Sequence, residues 1–274
     1  MSSGIEFRMR QAVLFLVFAL ATLSPSFAQS VRGTLVIMGG GAATESIVAR
    51  TLELAGGKRA VVAVLPQSSA NERAGDPWVR IWRDAGAKSV RTVDFDQPDA
   101  KGALEAATLI WISGGNQNRF MNAIKGTGLD DVIRSQYLKG TVVGGTSAGA
   151  AVMSEWMLTG DSDPAGLASG STVLRKGLAL LPGALIDQHF LARKRNNRLL
   201  SAVLDRPMLL GVGIDEETAI VVRADRFEVL GKSAVVVFDA RDAKVQATAA
   251  GGVPAATDVR LSVLKEGMNY PLKR

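Results

Sequence analysis

The sequence predicts an α/β fold: a doubly wound, mainly parallel sheet with a C-terminal antiparallel extension. From Thr34 onward, short apolar runs rich in β-branched residues alternate with helical patterns. Apolar strands that alternate with helices form parallel sheets covered on both faces. After Gly211 the helical patterns stop and short strands follow one another through glycine or aspartate turns, which is typical of antiparallel strands.

These elements follow one another in a regular order. The predicted strands of the parallel part are TLVIM, AVVAVL, SVRTVDF, TLIWI and TVVGG. The helices predicted between and after them cover residues 45–54, 72–85, about 116–125, 130–138 and 147–157. The predicted strands of the antiparallel part are GVGID, TAIVV, FEVL, AVVVFD and DVRLSVL.

Residues 1–28 are predicted to be a signal peptide. Two arginines precede an apolar stretch from Ala12 to Leu23, and Ser26 and Ala28 occupy the small positions of a cleavage site. The apolar stretch is shorter than the roughly 20 residues that a membrane span needs, which favours cleavage over an uncleaved anchor. We therefore expect residues 29–274 to form a single domain that is periplasmic or extracellular and not bound to a membrane.

The composition excludes several classes of function. The chain of 274 residues contains no cysteine, so thiol catalysis and thiolate metal sites are ruled out. The formal net charge of +6 is modest for this length, and no known nucleic-acid-binding motif accompanies it. We expect neither a metal nor a cofactor nor a nucleic acid as partner.

Three predicted strands end in glycine clusters, within the segments MGGGAATE, ISGGNQNRF and GGTSAGA. Ligands of such sheets bind beyond the carboxyl ends of the strands, so the site is expected there. The first cluster, Gly39 to Gly41, invites comparison with a dinucleotide-binding turn. It lacks the third glycine of that pattern, and we interpret it as a structural turn.

Ser147 in the third cluster is a candidate nucleophile. A reactive serine on a sharp strand-to-helix turn needs small neighbours, and glycine and alanine surround this one. The turn would aim the Ala148 amide and the positive end of a helix at developing negative charge. The alternative is an ordinary helix-capping serine.

A serine hydroxyl needs a base, and the chain has a single histidine, His189. It follows another apolar strand and so falls in the region expected for the site. The carboxylate that would orient its ring is open at this point. Asp187 is only two residues before His189, which makes it awkward for orienting the ring. Glu216, at the end of a strand, is the first choice. The other possible carboxylates are Asp161, Asp163, Asp215 and Glu217.

Four segments together resemble the cyanophycinase group of serine peptidases, relatives of the aspartyl dipeptidases built like class I glutamine amidotransferases. They are WISGGNQNRF, GGTSAGAAVMSE, LPGALIDQHFLARKRNNRLL and GVGIDEETAIVV, and the similarity runs from about Gly33 to Asp239. The resemblance implies a flavodoxin-like sheet, a Ser-His-Glu triad and hydrolysis of cyanophycin, a poly-aspartate with arginine on each side chain, to β-Asp-Arg dipeptides. The missing cysteine rules out the amidotransferase branch.

The resemblance also implies roles for the residues that match the motifs of this group. Ser147 matches the nucleophile, His189 the general base and Glu216 its acidic partner, while Gly115 and Ala148 match the oxyanion-hole amides. The residues implied to bind substrate are Gln117, Asp187, Gln188, Arg193, Arg195 and Arg198.

The three arginines fit such a substrate, because β-linked aspartates have free α-carboxylates that a guanidinium can bind through two hydrogen bonds. Arg195 and Arg198 would share one face of a helix that starts near Phe190. The alternative is a solvated charged surface. Two segments depart from the pattern of the group: Asn116 replaces a usual aspartate, and residues 160–176 diverge after GDS.

Two other functions remain open from the sequence. One is a dipeptidase or isoaspartyl peptidase that uses the same triad on short Asp-containing peptides. The other is an exported binding domain without catalysis, in which Ser147 or His189 would point away from the cleft. The sequence also leaves open a homodimer.

Overall fold

The computed structural model describes residues 31–161, 166–246 and 248–272. The predicted signal peptide lies outside these ranges. Within them, none of the helices has the length and apolar character of a membrane span.

The described ranges contain sixteen strands and seven α-helices. In chain order the strands are β1 (Thr34–Met38), β2 (Val61–Leu65), β3 (Ser89–Thr92), β4 (Leu109–Ile112), β5 (Val142–Thr146), β6 (Trp156–Leu158), β7 (Leu174–Lys176), β8 (Ala184–Gln188), β9 (Leu210–Ile214), β10 (Thr218–Arg223), β11 (Arg226–Gly231), β12 (Val235–Asp239), β13 (Lys244–Gln246), β14 (Ala255–Thr257), β15 (Arg260–Leu264) and β16 (Asn269–Pro271). The helices are α1 (Glu45–Leu54), α2 (Asp76–Asp84), α3 (Ala100–Ala106), α4 (Gln117–Ile124), α5 (Leu129–Lys139), α6 (Ala148–Ala151) and α7 (Asn196–Asp205), and a 3-10 turn lies at Gly57–Arg59.

The main sheet has eight strands in the order β3-β2-β4-β5-β1-β10-β11-β16. The first five are parallel, and the last three add antiparallel pairs. Helices α1 and α2 pack on one face, and α3, α4 and α5 pack on the other. The predicted doubly wound, mainly parallel sheet with an antiparallel extension is confirmed.

A second sheet of four strands, in the order β15-β12-β9-β8, was not predicted. Of the five strands predicted after Gly211, TAIVV and FEVL extend the main sheet, whereas GVGID, AVVVFD and DVRLSVL belong to the second one. Strands β8 and β9 are parallel and connected through α7, which covers the outer face of this sheet with Leu199 and Val203. The inner face packs on the core of the main sheet.

Three of the five predicted helices, α1, α4 and α5, match their predicted ranges to within one residue at each end, whereas α2 begins only at Asp76. Helix α1 matches its predicted range, and the Thr44 hydroxyl caps it by accepting the Ile47 N–H at 3.3 Å. The helix predicted for residues 147–157 is wrong beyond Ala151, because the chain turns there and continues as β6, which pairs with β7. All four residues of α6 are buried, so the apolar run reflects enclosure rather than one helix face.

Candidate active site

The three glycine clusters lie together at the carboxyl edge of the main sheet, because β4, β5 and β1 are neighbours. A Cβ atom added to Gly114 would lie 3.3 Å from the Ser147 Cβ. The Ser147 N–H donates to the carbonyl oxygen of Met38, at the end of β1, at 3.1 Å. The edge of the main sheet therefore approaches Ser147 with the backbone of Gly114 and Met38.

Ser147 connects β5 to α6 in an unusual conformation, with φ 53° and ψ −112°. A non-glycine residue with positive φ costs of order 1–3 kcal/mol and persists only when its surroundings hold it. The side chain makes no capping hydrogen bond to α6. The capping alternative is therefore not what the structure shows, and the hydroxyl points elsewhere.

The Ser147 hydroxyl points at the single histidine. Its Oγ lies 2.9 Å from His189 Nε2, and His189 Nδ1 lies 2.6 Å from Glu216 Oε1. Since a carboxylate accepts, Nδ1 carries the proton and Nε2 is left to accept from the serine hydroxyl. The structure thus brings Ser147, His189 and Glu216 into one hydrogen-bonded chain.

The environment of His189 keeps its imidazole neutral. Burial lowers the pKa of His189 below its usual 6.5, and the positive charges of Arg193 and Arg195 lower it further. The hydrogen bond to Glu216 opposes this shift without reversing it. A neutral imidazole at pH 7 can accept a proton.

Three of the other candidate carboxylates lie elsewhere or outside the described ranges. Asp163 is outside those ranges. Asp161 is exposed at the start of the neighbouring loop, and Glu217 forms an exposed ion pair of 2.7 Å with Lys232.

Asp215 supports the turn that follows His189. Its Oδ1 accepts the backbone N–H groups of Leu191 and Ala192 at 3.0 and 2.9 Å, and its Oδ2 accepts from the Ser233 hydroxyl. Burial alone would raise the pKa of Asp215, but these hydrogen bonds hold it below its usual value. This carboxylate stays ionised as a scaffold.

Asp187 is fully engaged by arginines. It is 1% exposed, and both its oxygens accept from Arg198, with Nε donating to Oδ2 at 2.7 Å and Nη2 donating to Oδ1. Arg198 itself is 2% exposed, and Arg195 adds a contact of 3.5 Å. Asp187 therefore belongs to this buried ion pair and does not orient the His189 ring.

The prediction that Arg195 and Arg198 share one face of a helix is wrong. Residues 191–195 form turns, α7 begins only at Asn196, and Arg195 is the residue before it. Arg195 Nη1 instead donates back to the main-chain oxygen and to Oε1 of Gln188, at 2.5 and 2.9 Å. Burial and the neighbouring Arg198 lower the pKa of Arg195 to about 10, so the guanidinium remains charged at pH 7.

A cavity of about 370 Å³ opens beside the Ser147 hydroxyl. Its lining residues are Gly115, Asn116, Gln117, Ser147, Gly160, Gln188, Arg193, Arg195 and Arg198. Five of the six residues implied to bind substrate are in this set, and the sixth, Asp187, lies behind the wall and holds Arg198. Within the described ranges no cluster of ligands suited to a metal ion occurs.

Sequence reasoning missed the contribution of the first glycine cluster. Gly40 lies directly against the His189 imidazole: a Cβ atom at this position would be 2.3 Å from His189 Cε1. The position of MGGG at a strand end was the available signal, and it indicated a turn without indicating what the turn contacts.

Comparison with known proteins places this site in a family. The model of peptidase family S51 matches residues 35–230. The chain belongs to this family. It is therefore a serine-type peptidase, as the motifs predicted.

Curated relatives cover most of the chain. A protein named cyanophycinase from Geminocystis herdmanii is 34% identical over 260 residues, which span 89% of this chain and 96% of that protein. A protein of the same name from Thermosynechococcus vestitus is 36% identical over 231 residues, spanning 80% of this chain and 72% of the relative.

Solved structures share the fold of this S51 peptidase. A peptidase from an acI-B1 actinobacterium has a TM-score of 0.66 at 19% identity, covering 89% of this chain and 98% of that one. A putative peptidase E from Listeria monocytogenes has a TM-score of 0.55 at 18% identity, covering 73% and 99%. At these identities the likeness concerns the fold alone.

Proposed function

We propose that the protein cleaves its substrate by acyl transfer through Ser147, His189 and Glu216. The hydrogen-bonded chain of 2.9 Å and 2.6 Å between these side chains supports the proposal. Ser147 Oγ attacks the scissile amide carbonyl while His189 Nε2 takes its proton, and Glu216 stabilises the imidazolium. The imidazolium then protonates the leaving amine, and water, activated by the same base, hydrolyses the acyl-enzyme.

The amides of Gly115 and Ala148 are proposed to hold the oxyanion of the tetrahedral intermediate. The N–H of Ser147 already donates to Met38, so it is not free for this role. Ala148 is the first residue of α6, where a helix supplies no acceptor for the N–H and where its dipole favours negative charge. Gly115 lines the cavity beside Ser147 and adopts φ 139°, a conformation that favours glycine.

Cyanophycin is the substrate that we propose, with β-Asp-Arg dipeptides as products. The curated relatives named cyanophycinase support this choice. The cavity beside Ser147 also matches it, since three arginines line one space. Each arginine of the polymer is bonded to an aspartate side chain through its α-amino group and keeps a free α-carboxylate, which a guanidinium can bind. Gln117 and Gln188 add amide groups to the same wall.

We also propose that the protein is exported, because residues 1–28 have the pattern of a signal peptide. A periplasmic or extracellular location is supported by two arginines, the apolar stretch that follows them and the small residues at the expected cleavage positions. Cell fractionation tests it: we expect the processed protein in the periplasm or medium, and full-length protein confined to the cytoplasm would contradict export.

The test of the peptidase proposal uses purified protein and cyanophycin granules. We expect the granules to dissolve with release of β-Asp-Arg, identified by mass. Ser147→Ala should abolish this release, whereas Ser46→Ala, a change of the same size at an exposed position of α1, should leave it unchanged.

Short substrates form the second arm of the same experiment. Asp-X dipeptides and isoaspartyl peptides are offered to the wild-type protein under identical conditions. Cleavage of these peptides without any action on granules would overturn the substrate proposal and retain the triad. Release of dipeptide by Ser147→Ala at the wild-type rate would overturn the triad.

A further inference from the structure

The turn after β1 is bonded to all three chain segments that form the proposed triad. Three successive carbonyl oxygens, those of Met38, Gly39 and Gly40, accept backbone N–H groups. Their donors are Ser147 at 3.1 Å, His189 at 2.7 Å and Glu217, the neighbour of Glu216, at 2.9 Å.

This turn is where the two sheets meet at the site. Ser147 follows β5 of the main sheet, whereas His189 and Glu216 follow β8 and β9 of the second sheet. Their relative positions therefore depend on how the two sheets are joined. The chain joins the sheets through residues 215–217, between β9 and β10, and the hydrogen bonds of this turn add a second link between them.

The glycines of the turn also contact the reacting side chains. A Cβ on Gly40 would lie 2.3, 2.6 and 2.7 Å from the His189 atoms Cε1, Nε2 and Nδ1, so the ring rests against the Gly40 backbone. A Cβ on Gly41 would lie 3.0 Å from the Glu216 Cβ. The absence of side chains here lets the imidazole stand between serine and carboxylate.

We propose that Gly40 is a positioning residue that sets the plane of the His189 imidazole, and that the turn 38–41 aligns the triad across the two sheets. The inference rests on the proposed function of the triad. Gly40 is not among the residues that line the substrate cavity, so its effect is expected in turnover rather than in substrate binding.

Gly40→Ala tests the contact, with Gly56→Ala as its matched control. Both glycines have a left-handed backbone, with φ 120° and 106°, but a Cβ on Gly56 meets nothing within 4 Å. The control therefore carries the backbone cost without the steric contact. We expect kcat of Gly40→Ala to fall at least about 100-fold with little change in KM, and Gly56→Ala to keep wild-type kcat.

A second readout follows the imidazole itself. Because the chain has one histidine, nitrogen-15 NMR of histidine-labelled protein without a histidine tag reports on His189 alone. We expect the low-field Nδ1 proton held by Glu216 in the wild type to be lost in Gly40→Ala. This signal does not depend on the substrate, so it separates failure of the positioning from failure of the proposed activity.

If Gly40→Ala does not fold, Gly41→Ala tests whether the turn 38–41 aligns the triad. Its Cβ should displace Glu216, and since the bond to Glu216 raises the pKa of His189, that pKa should fall further. Gly126→Ala, with φ 80° and open space, is its control. A folded Gly40→Ala, or in its absence Gly41→Ala, with wild-type kcat and an unchanged imidazole signal would overturn the proposal.

Discussion

The two sides of the cavity are stabilised in opposite ways. On the reactive side, Ser147 and His189 both have positive φ, 53° and 49°, a conformation that costs of order 1–3 kcal/mol for each residue. On the basic side, Asp187 and Arg198 come from the regular elements β8 and α7 and form a buried, bidentate ion pair. Gln188, between Asp187 and His189 on the chain, touches the basic side through Arg195.

If the proposed function holds, this difference separates reactivity from binding within the site. Here the hydroxyl and the imidazole are aligned by residues in a costly backbone conformation, which the surrounding core must hold in place. An array of like charges requires fixed counter-charges behind it, and Asp187 supplies one. Changes on the reactive side should therefore remove activity without removing stability, whereas changes behind the basic side should remove both.

The largest expected effect lies on the reactive side. His189→Ala should lower kcat by about 10⁴–10⁶-fold, and the double variant with Ser147→Ala should be no slower, because triad members act as a unit. The melting temperature should stay close to that of the wild type. Steady-state kinetics and calorimetry check this, and additive losses in the double variant would contradict a shared mechanism.

The next effect concerns the buried ion pair. Asp187→Asn should lower the free energy of unfolding by about 3–5 kcal/mol, because it leaves Arg198 charged and buried without a counter-charge. KM should rise as well. The control Asp76→Asn, which breaks an exposed pair with Arg73, should cost less than about 1 kcal/mol. Equal losses of stability in chemical unfolding would refute the proposed contrast.

A smaller effect is expected at the exposed rim of the basic side. Arg193 lines the cavity and is exposed, so Arg193→Ala should raise KM about 10–100-fold through a lost charged hydrogen bond, with stability unchanged. Arg226→Ala, exposed and remote, is the control. An unchanged KM would mean that Arg193 belongs to a solvated surface.

The smallest expected effect is that of the Arg193 charge, on the basic side, on the pKa of His189, on the reactive side. Since the pKa of His189 lies below 6.5 and the base must be neutral, kcat/KM should be flat at neutral pH and fall only as the pH drops below that value. Arg193 lowers this pKa, so Arg193→Ala should move the fall to higher pH. A shift to lower pH would contradict the placement of that charge.

The sequence predicted the main sheet because its strands and helices have distinct periodicities, and the predicted range of α1 agrees with the structure, where Thr44 caps the helix. It did not predict the second sheet. The strand GVGID is buried in the same way as a main-sheet strand, and only the tertiary packing of α7 shows which sheet it joins.

The candidate site was predictable where residue types are rare and not where residues are common. A single histidine and a serine at a strand end suffice to suggest the pair. Arg195 was placed on a helix that starts too early, because the turns at 191–195 depend on Asp215, which is distant in sequence. The role of Gly40 depends on a contact with His189 that no local pattern encodes.

The most direct measurement of the central claim is mass spectrometry of the protein after reaction with a fluorophosphonate. If His189 activates Ser147, one adduct should form on Ser147 in the wild type, and it should form at least about 1,000-fold more slowly in His189→Ala. Labelling of a different serine, or equal rates in the two proteins, would contradict the account.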